Sequence, residues 1–217
     1  MHMVHLLQQG EWLLFATIIA ALVISLSFHE FGHAWVAKRF GDDTAERAGR
    51  LTINPRAHID PMGLIMVVIV GFGYAKPVPI DPRLFTSRYA DLLVAAAGPG
   101  MNLLLAVVTI NFYVLGLKFG WAVFQQPGPY YFFSYLALIN LLLMVFNLLP
   151  IGVLDGHYIL PYFLPRRLAS LYRYYSHRYG NLLLLLLVLL AVFGVPVFQS
   201  IVGISRAILP SIVFLPL

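Results

Sequence analysis

One carboxylate inside an unbroken apolar run constrains this chain more than any other feature. From Trp12 to Val36 the only charged side chain is Glu30, and it sits within Ser27-Phe28-His29-Glu30-Phe31-Gly32-His33. An apolar run of this length reads as a membrane-spanning helix, and an ionisable group at that depth is costly and kept for function. Histidines at i and i+4 share one helix face, so His29 and His33 can reach a single metal ion, with Glu30 turned toward the same cleft.

Composition agrees with a membrane setting. The 217 residues are 60% hydrophobic and 11% charged, with a mean hydropathy of +0.84, where a soluble domain averages about 25% charged. Cysteine is absent, so disulfides and thiolate metal sites are excluded and any metal must be held by His, Asp or Glu. The net charge of +5 does not argue for nucleic acid, because the basic residues crowd the flanks of apolar segments. Met1 to Gly10 carry no Lys or Arg, and the apolar run continues into the histidine motif, so a cleaved secretory signal is not expected.

Apolar segments are expected at 11–39, 91–117, 130–149 and 181–198. The stretch 199–217, broken by Arg206, Pro210 and Pro216, reads as either a further span or a surface helix. Met62 to Ala75 is too short to cross a bilayer and rich in β-branched residues, so it reads as a membrane-inserted strand pair or re-entrant segment. The expected fold is an all-α polytopic membrane protein of about 5–6 transmembrane helices, with a small β or re-entrant region around 50–80. It forms a single membrane-embedded domain over 1–217, with a core about 11–164 and C-terminal helices about 181–217. Eight of the 14 Lys and Arg lie between Lys38 and Arg88, and four more at Arg166, Arg167, Arg173 and Arg178. If 62–75 does not cross, both groups share one side, which the positive-inside rule makes cytoplasmic. The histidine motif then lies toward that side.

A catalytic zinc takes three protein ligands and keeps one position open. His29 and His33 supply two. Among the nine acids Asp155 stands out, because it follows the apolar stretch Ile139–Pro150 at the end that faces His33. His58 and His157 compete for the third place, and Asp155 is favoured. Glu30 reads as the general base that takes a proton from a zinc-activated water. Asn147, placed on the same helix as Asp155, reads as a donor to the scissile carbonyl, against an interhelical hydrogen bond as the alternative. Asn102 and Asn140 read as structural interhelical bonds.

Four stretches together resemble the site-2 protease family of intramembrane zinc metalloproteases, peptidase family M50. They are Phe28–His33; Asn54-Pro55 with His58–Pro61; Gly98-Pro99 with Asn102; and Asn147–Pro150 with Leu154-Asp155-Gly156. The resemblance implies a three-helix catalytic core with one Zn2+ per chain on His29, His33 and Asp155, Glu30 as base and Asn147 at the substrate carbonyl. It implies that Gly73–Pro79 belongs to a substrate-facing re-entrant loop. It implies a plasma or inner membrane setting and the cutting of transmembrane-helix proteins; the chain departs from many relatives in having no room for a PDZ domain or a CBS pair, and is expected to be a compact form. A non-catalytic binder of the same fold and a metal transporter are the rival readings. The oligomeric state is left open.

Overall fold

The computed structural model describes residues 3–215. Ten α-helices follow in chain order among these residues: α1 (Met3–Gln8), α2 (Trp12–Arg39), α3 (Thr44–Arg47), α4 (Pro55–His58), α5 (Pro61–Val70), α6 (Ala90–Lys118), α7 (Pro127–Asn147), α8 (Gly156–Ile159), α9 (Arg166–Val192) and α10 (Val197–Ile208). Four of them, α2, α6, α7 and α9, are long and apolar enough to cross a membrane. The chain is an all-α polytopic membrane protein.

Helices α2, α6 and α7 pack mutually and form the centre of the molecule. Small residues let them approach: Ala21, Ala34, Ala106 and Ala137 have no exposed surface. Gly32 has no alternative, since a Cβ there would stand 2.7 Å from the Ala97 carbonyl oxygen on α6. Between lipid-facing helices, close backbone contact and interhelical hydrogen bonds replace the hydrophobic effect as the source of packing energy. Buried Ser25, Asn102 and Asn140 supply those bonds.

The 62–75 stretch is not a strand pair. Asp60 caps α5, its carboxylate accepting from the Met62 and Gly63 amides; Pro61 opens the helix, and Gly71 closes it in the left-handed region at φ 80°. Those start and stop signals outweigh the β-branched content of the segment. Ten residues rise about 15 Å, half a bilayer core. The chain then doubles back, leaving one isolated antiparallel bridge between Ile59 and Ala75. The two limbs touch at Gly63 and Gly73, where a Cβ on Gly73 would lie 2.1 Å from the Gly63 carbonyl oxygen.

The C-terminal third also differs from expectation. α9 begins at Arg166 rather than near 181, because nothing in Arg166–Tyr179 interrupts a helix. It stops at Val192, and Gly194, at φ 92°, and Pro196 separate it from α10. α10 has 12 residues and is too short to span, so the long helices number four rather than five or six. The end of the chain is tied to α6 by Asn111, which donates to the Ile212 carbonyl and accepts from the Phe214 amide. The expectation of a span over 199–217 includes two terminal residues outside the described range.

A polar layer folds against the Lys38-Arg39 end of α2. Buried Asp42 accepts from the Thr44 and Asp81 amides. His58, fully buried, donates Nε2–H to the Thr52 carbonyl at 2.7 Å. Burial holds its imidazole below the ordinary histidine range, against the opposing pull of the Thr52 carbonyl, with the Arg50 charge adding to the lowering. In the unfolded chain His58 takes a proton below about pH 6.5. Its contribution to stability is therefore complete above that value and drains away as pH falls toward its lower folded pKa. Amide hydrogen exchange over 50–60, corrected for intrinsic rates, is expected to accelerate between about pH 7.5 and 5.5 in wild type and to stay flat in His58→Gln. Equal pH dependence in both would sink this assignment.

Candidate metal centre

Three side chains from distant parts of the chain converge beside the α2–α6 crossing. His29 Nε2 and His33 Nε2 are 3.1 Å apart. Asp155 Oδ2 lies 3.3 Å from His29 Nε2, and Oδ1 lies 3.3 Å from His33 Nε2. Among the described residues this is the one group of three or more His, Asp or Glu with ligand atoms within 4.8 Å of one another.

The second ring nitrogens decide what the group can do. His29 Nδ1 donates to Asn102 Oδ1 at 2.6 Å, and His33 Nδ1 donates to the Val94 carbonyl at 2.7 Å. With the proton fixed on Nδ1, each Nε2 turns a lone pair toward the other and toward a carboxylate. Three acceptors facing one another in a buried site repel unless a cation sits among them. Asp155 Oδ2, buried and without a hydrogen-bond donor, fits the same reading. Two neutral imidazoles and one carboxylate, each histidine oriented by a second acceptor, form the donor set of a catalytic zinc. Tetrahedral bonds of about 2.0–2.2 Å place ligand atoms about 3.3–3.6 Å apart; the two imidazole–carboxylate spacings of 3.3 Å meet this, and the 3.1 Å between the two nitrogens is slightly shorter.

Each part of the α6 motif has a task. Gly98 makes room for the rings: a Cβ there would lie 2.3 Å from His33 Nε2 and 2.6 Å from His29 Cε1. Pro99 withholds the N–H from which the Ala95 carbonyl would otherwise accept in the α6 ladder. Asn102, one turn past Gly98 on the same face, orients His29. Its amide nitrogen donates to the Ser25 carbonyl at 3.2 Å and to Asn140 Oδ1 at 2.8 Å. Asn140 passes the chain on to Ser25 Oγ and the Leu136 carbonyl. Reading Asn102 and Asn140 as interhelical bonds was correct but incomplete, because the network ends on a metal-site histidine. The Gly98-x-x-x-Asn102 spacing carried that signal. The Val94 carbonyl left none, since any residue offers one.

Asp155 reaches the site by a route the sequence reading simplified. It is not on the helix of Asn147: α7 stops at Asn147, Pro150 prevents continuation, and Asp155 stands at the start of α8. Gly156 lets this turn close, since a Cβ there would meet the Leu148 carbonyl oxygen at 2.3 Å. His58 and His157 fall outside the cluster.

The site opens into a cavity of about 690 Å³, lined by α2, α6, α7 and the returning limb from Phe72 to Val78. Glu30 and Asn147 both face it. Glu30 is buried, and its Oε2 accepts from the Val78 amide at 2.9 Å. Asn147 donates to the Leu143 carbonyl of its own helix at 3.0 Å and makes no interhelical bond among the described residues.

Comparison with known proteins gives the family. The model of Peptidase family M50 matches residues 17–125 and 118–191. A Bacillus subtilis protein named "Putative zinc metalloprotease YwhC" is 42% identical over 151 residues, 68% of this chain and 69% of that protein. "Putative zinc metalloprotease Rip2" of Mycolicibacterium smegmatis is 39% identical over 152 residues, covering 66% of this chain and 55% of its own length. The Rip2 of Mycobacterium tuberculosis is 36% identical over 148 residues, with the same coverage. The chain thus spans a little over half the length of the mycobacterial proteins. No solved structure matches. By the extent of the family match and by its relatives, this chain belongs to the zinc metalloproteases of peptidase family M50.

Proposed function

We propose that the chain is an intramembrane zinc endopeptidase that hydrolyses peptide bonds in or near transmembrane helices of other proteins. The observation that carries this reading is the convergence of His29, His33 and Asp155 with Glu30 at the wall of one cavity set among apolar helices. His29, His33 and Asp155 would hold one zinc ion, which when bound acts as a Lewis acid on water and on the scissile carbonyl.

The remaining chemistry belongs to the protein. Glu30 accepts a proton from the attacking water and returns it to the leaving amine. The Val78 amide fixes one of its oxygens, so the other is the one free for the proton. Asn147 lends its amide to the scissile carbonyl, giving up a local bond to its own helix. Asn102 and the Val94 carbonyl keep the metal-facing nitrogens unprotonated.

A transmembrane helix must be locally unwound before its carbonyls are accessible. The returning limb offers a partner for the unwound segment. Lys76 turns its amide to the His58 carbonyl and its carbonyl to Arg50. Alternation along an extended chain then leaves the Ala75 edge facing the cavity, suited to adding a substrate strand. Ile65–Val70 is helical and offers no such edge. The crowding of Lys and Arg over 38–88 and 166–178, with α5 too short to cross, supports a cytoplasmic placement of the site.

The deciding experiment measures zinc content and cleavage of a single-span substrate for wild type and Glu30→Gln. Zinc in both and cutting only in wild type is the expected result; cutting that survives the substitution would overturn the mechanism. Asn102→Leu is expected to weaken zinc binding by about 10–100-fold, read by chelator competition. Ala75→Pro, which removes one edge N–H, should slow cleavage at unchanged zinc content, and full activity in that variant would rule out strand addition.

A further inference from the structure

α9 touches the rest of the protein along a narrow stripe. Its buried residues are Ala169 and Gly180, and the side chains of Leu182, Leu183, Leu185 and Leu186 are exposed. Tyr172, Ser176, Gly180 and Leu184 recur every four residues and so share one face. All four meet the segment around the Asp155 turn or the cavity beside it. The Tyr172 hydroxyl donates to the Pro150 carbonyl at 3.0 Å. A Cβ on Gly152 would lie 2.5 Å from Gly180 Cα and 2.6 Å from the Ser176 carbonyl oxygen, and one on Gly180 would lie 2.4 Å from Gly152 Cα. Leu184 lines the cavity and packs in the cluster that buries Leu154.

We infer that α9 is a positioning element of the metal centre, with Gly180 and Tyr172 setting the place of Asp155 through the backbone of Pro150–Leu154. The inference rests on the zinc reading above. His29 and His33 are held by α6, one through a side chain and one through a carbonyl. Asp155 has no such support: no donor reaches its Oδ2, and it sits beyond a proline-broken helix end. α8, which begins beside Asp155, packs on α6, and on the other side the Gly152–Gly180 contact seats the backbone that leads into Asp155 against α9. Two glycine backbones in direct contact leave no side chain to absorb a displacement, so added volume there must move either α9 or the turn that carries the ligand.

The test is zinc affinity by chelator competition on the full chain, with apo-protein unfolding measured alongside. Gly180→Val is expected to weaken zinc binding by at least about tenfold. Gly203→Val on α10, where an added Cβ meets nothing within 4 Å, is the control and should bind as wild type does. Tyr172→Phe, which removes one hydroxyl and no packing volume, keeps the test alive if Gly180→Val fails to fold; a loss of about threefold or more is expected from the loosened Pro150 carbonyl. A purely structural role would lower the unfolding midpoint and leave the affinity of the folded protein, and the absorption spectrum of its cobalt form, unchanged. That result in folded Gly180→Val, or in Tyr172→Phe where Gly180→Val does not fold, overturns the inference while the metalloprotease reading stands. Failure of wild type to bind zinc would overturn both.

Discussion

Two imidazole nitrogens 3.1 Å apart, both presenting lone pairs, are the constraint around which the structure is arranged. In water such a pair would separate or protonate. Between apolar helices it must be held against its own repulsion until a cation joins the two rings. Every unusual residue in the neighbourhood serves that end. Gly98 vacates the space into which the rings project, and Gly32 lets α6 come close enough to supply acceptors. Asn102 and the Val94 carbonyl decide the tautomers. The buried amide chain through Asn140 and Ser25 has each donor matched to an acceptor, as a buried polar network requires if it is not to cost more than an apolar core. One hydrogen-bonded thread thereby sets the mutual register of three helices and the orientation of His29.

The returning limb after α5 joins the metal centre to the polar layer. Its Val78 amide grips Glu30, its Lys76 amide and carbonyl are taken by His58 and Arg50, and Asp81 is tied to Asp42. The polar loops are thus not ornaments on a helical bundle. They fix the backbone that orients Glu30, and they fold against the Lys38-Arg39 end of α2.

Much of this was legible in the chain. The two histidines and Glu30 declare themselves by spacing inside an apolar run, and Asp155 by being an acid just after one. The boundaries of α2 and α6 lie within a residue of those expected, because long apolar periodicity is a strong signal. What failed was local. The 62–75 stretch looked β-like by residue type, but Asp60-Pro61 and Gly71 are helix punctuation and they decided the outcome. Asp155 was placed on the helix of Asn147, although Pro150 stands between them. The start of α9 was hidden because a helix that leaves the apolar zone carries no change in periodicity, only in polarity. Contacts between backbones, such as Gly152 on Gly180 or the Val94 carbonyl on His33, leave no trace in the sequence, because they depend on where two distant segments meet.

The shallow seating of α9 has a consequence for where the protein is studied. A helix anchored along one stripe, with most of its surface turned outward, takes its tilt from the surrounding lipid as well as from its neighbours. Its apolar part is short, and the Arg- and Tyr-rich part ahead of it is suited to the headgroup zone. Hydrophobic mismatch with a thicker or thinner bilayer is therefore transmitted along a rigid rod to the turn beside Asp155. Bilayer thickness then bears on how α9 seats against the Asp155 turn, and a micelle, which has no fixed thickness, is a different solvent for this protein rather than a neutral stand-in for the membrane.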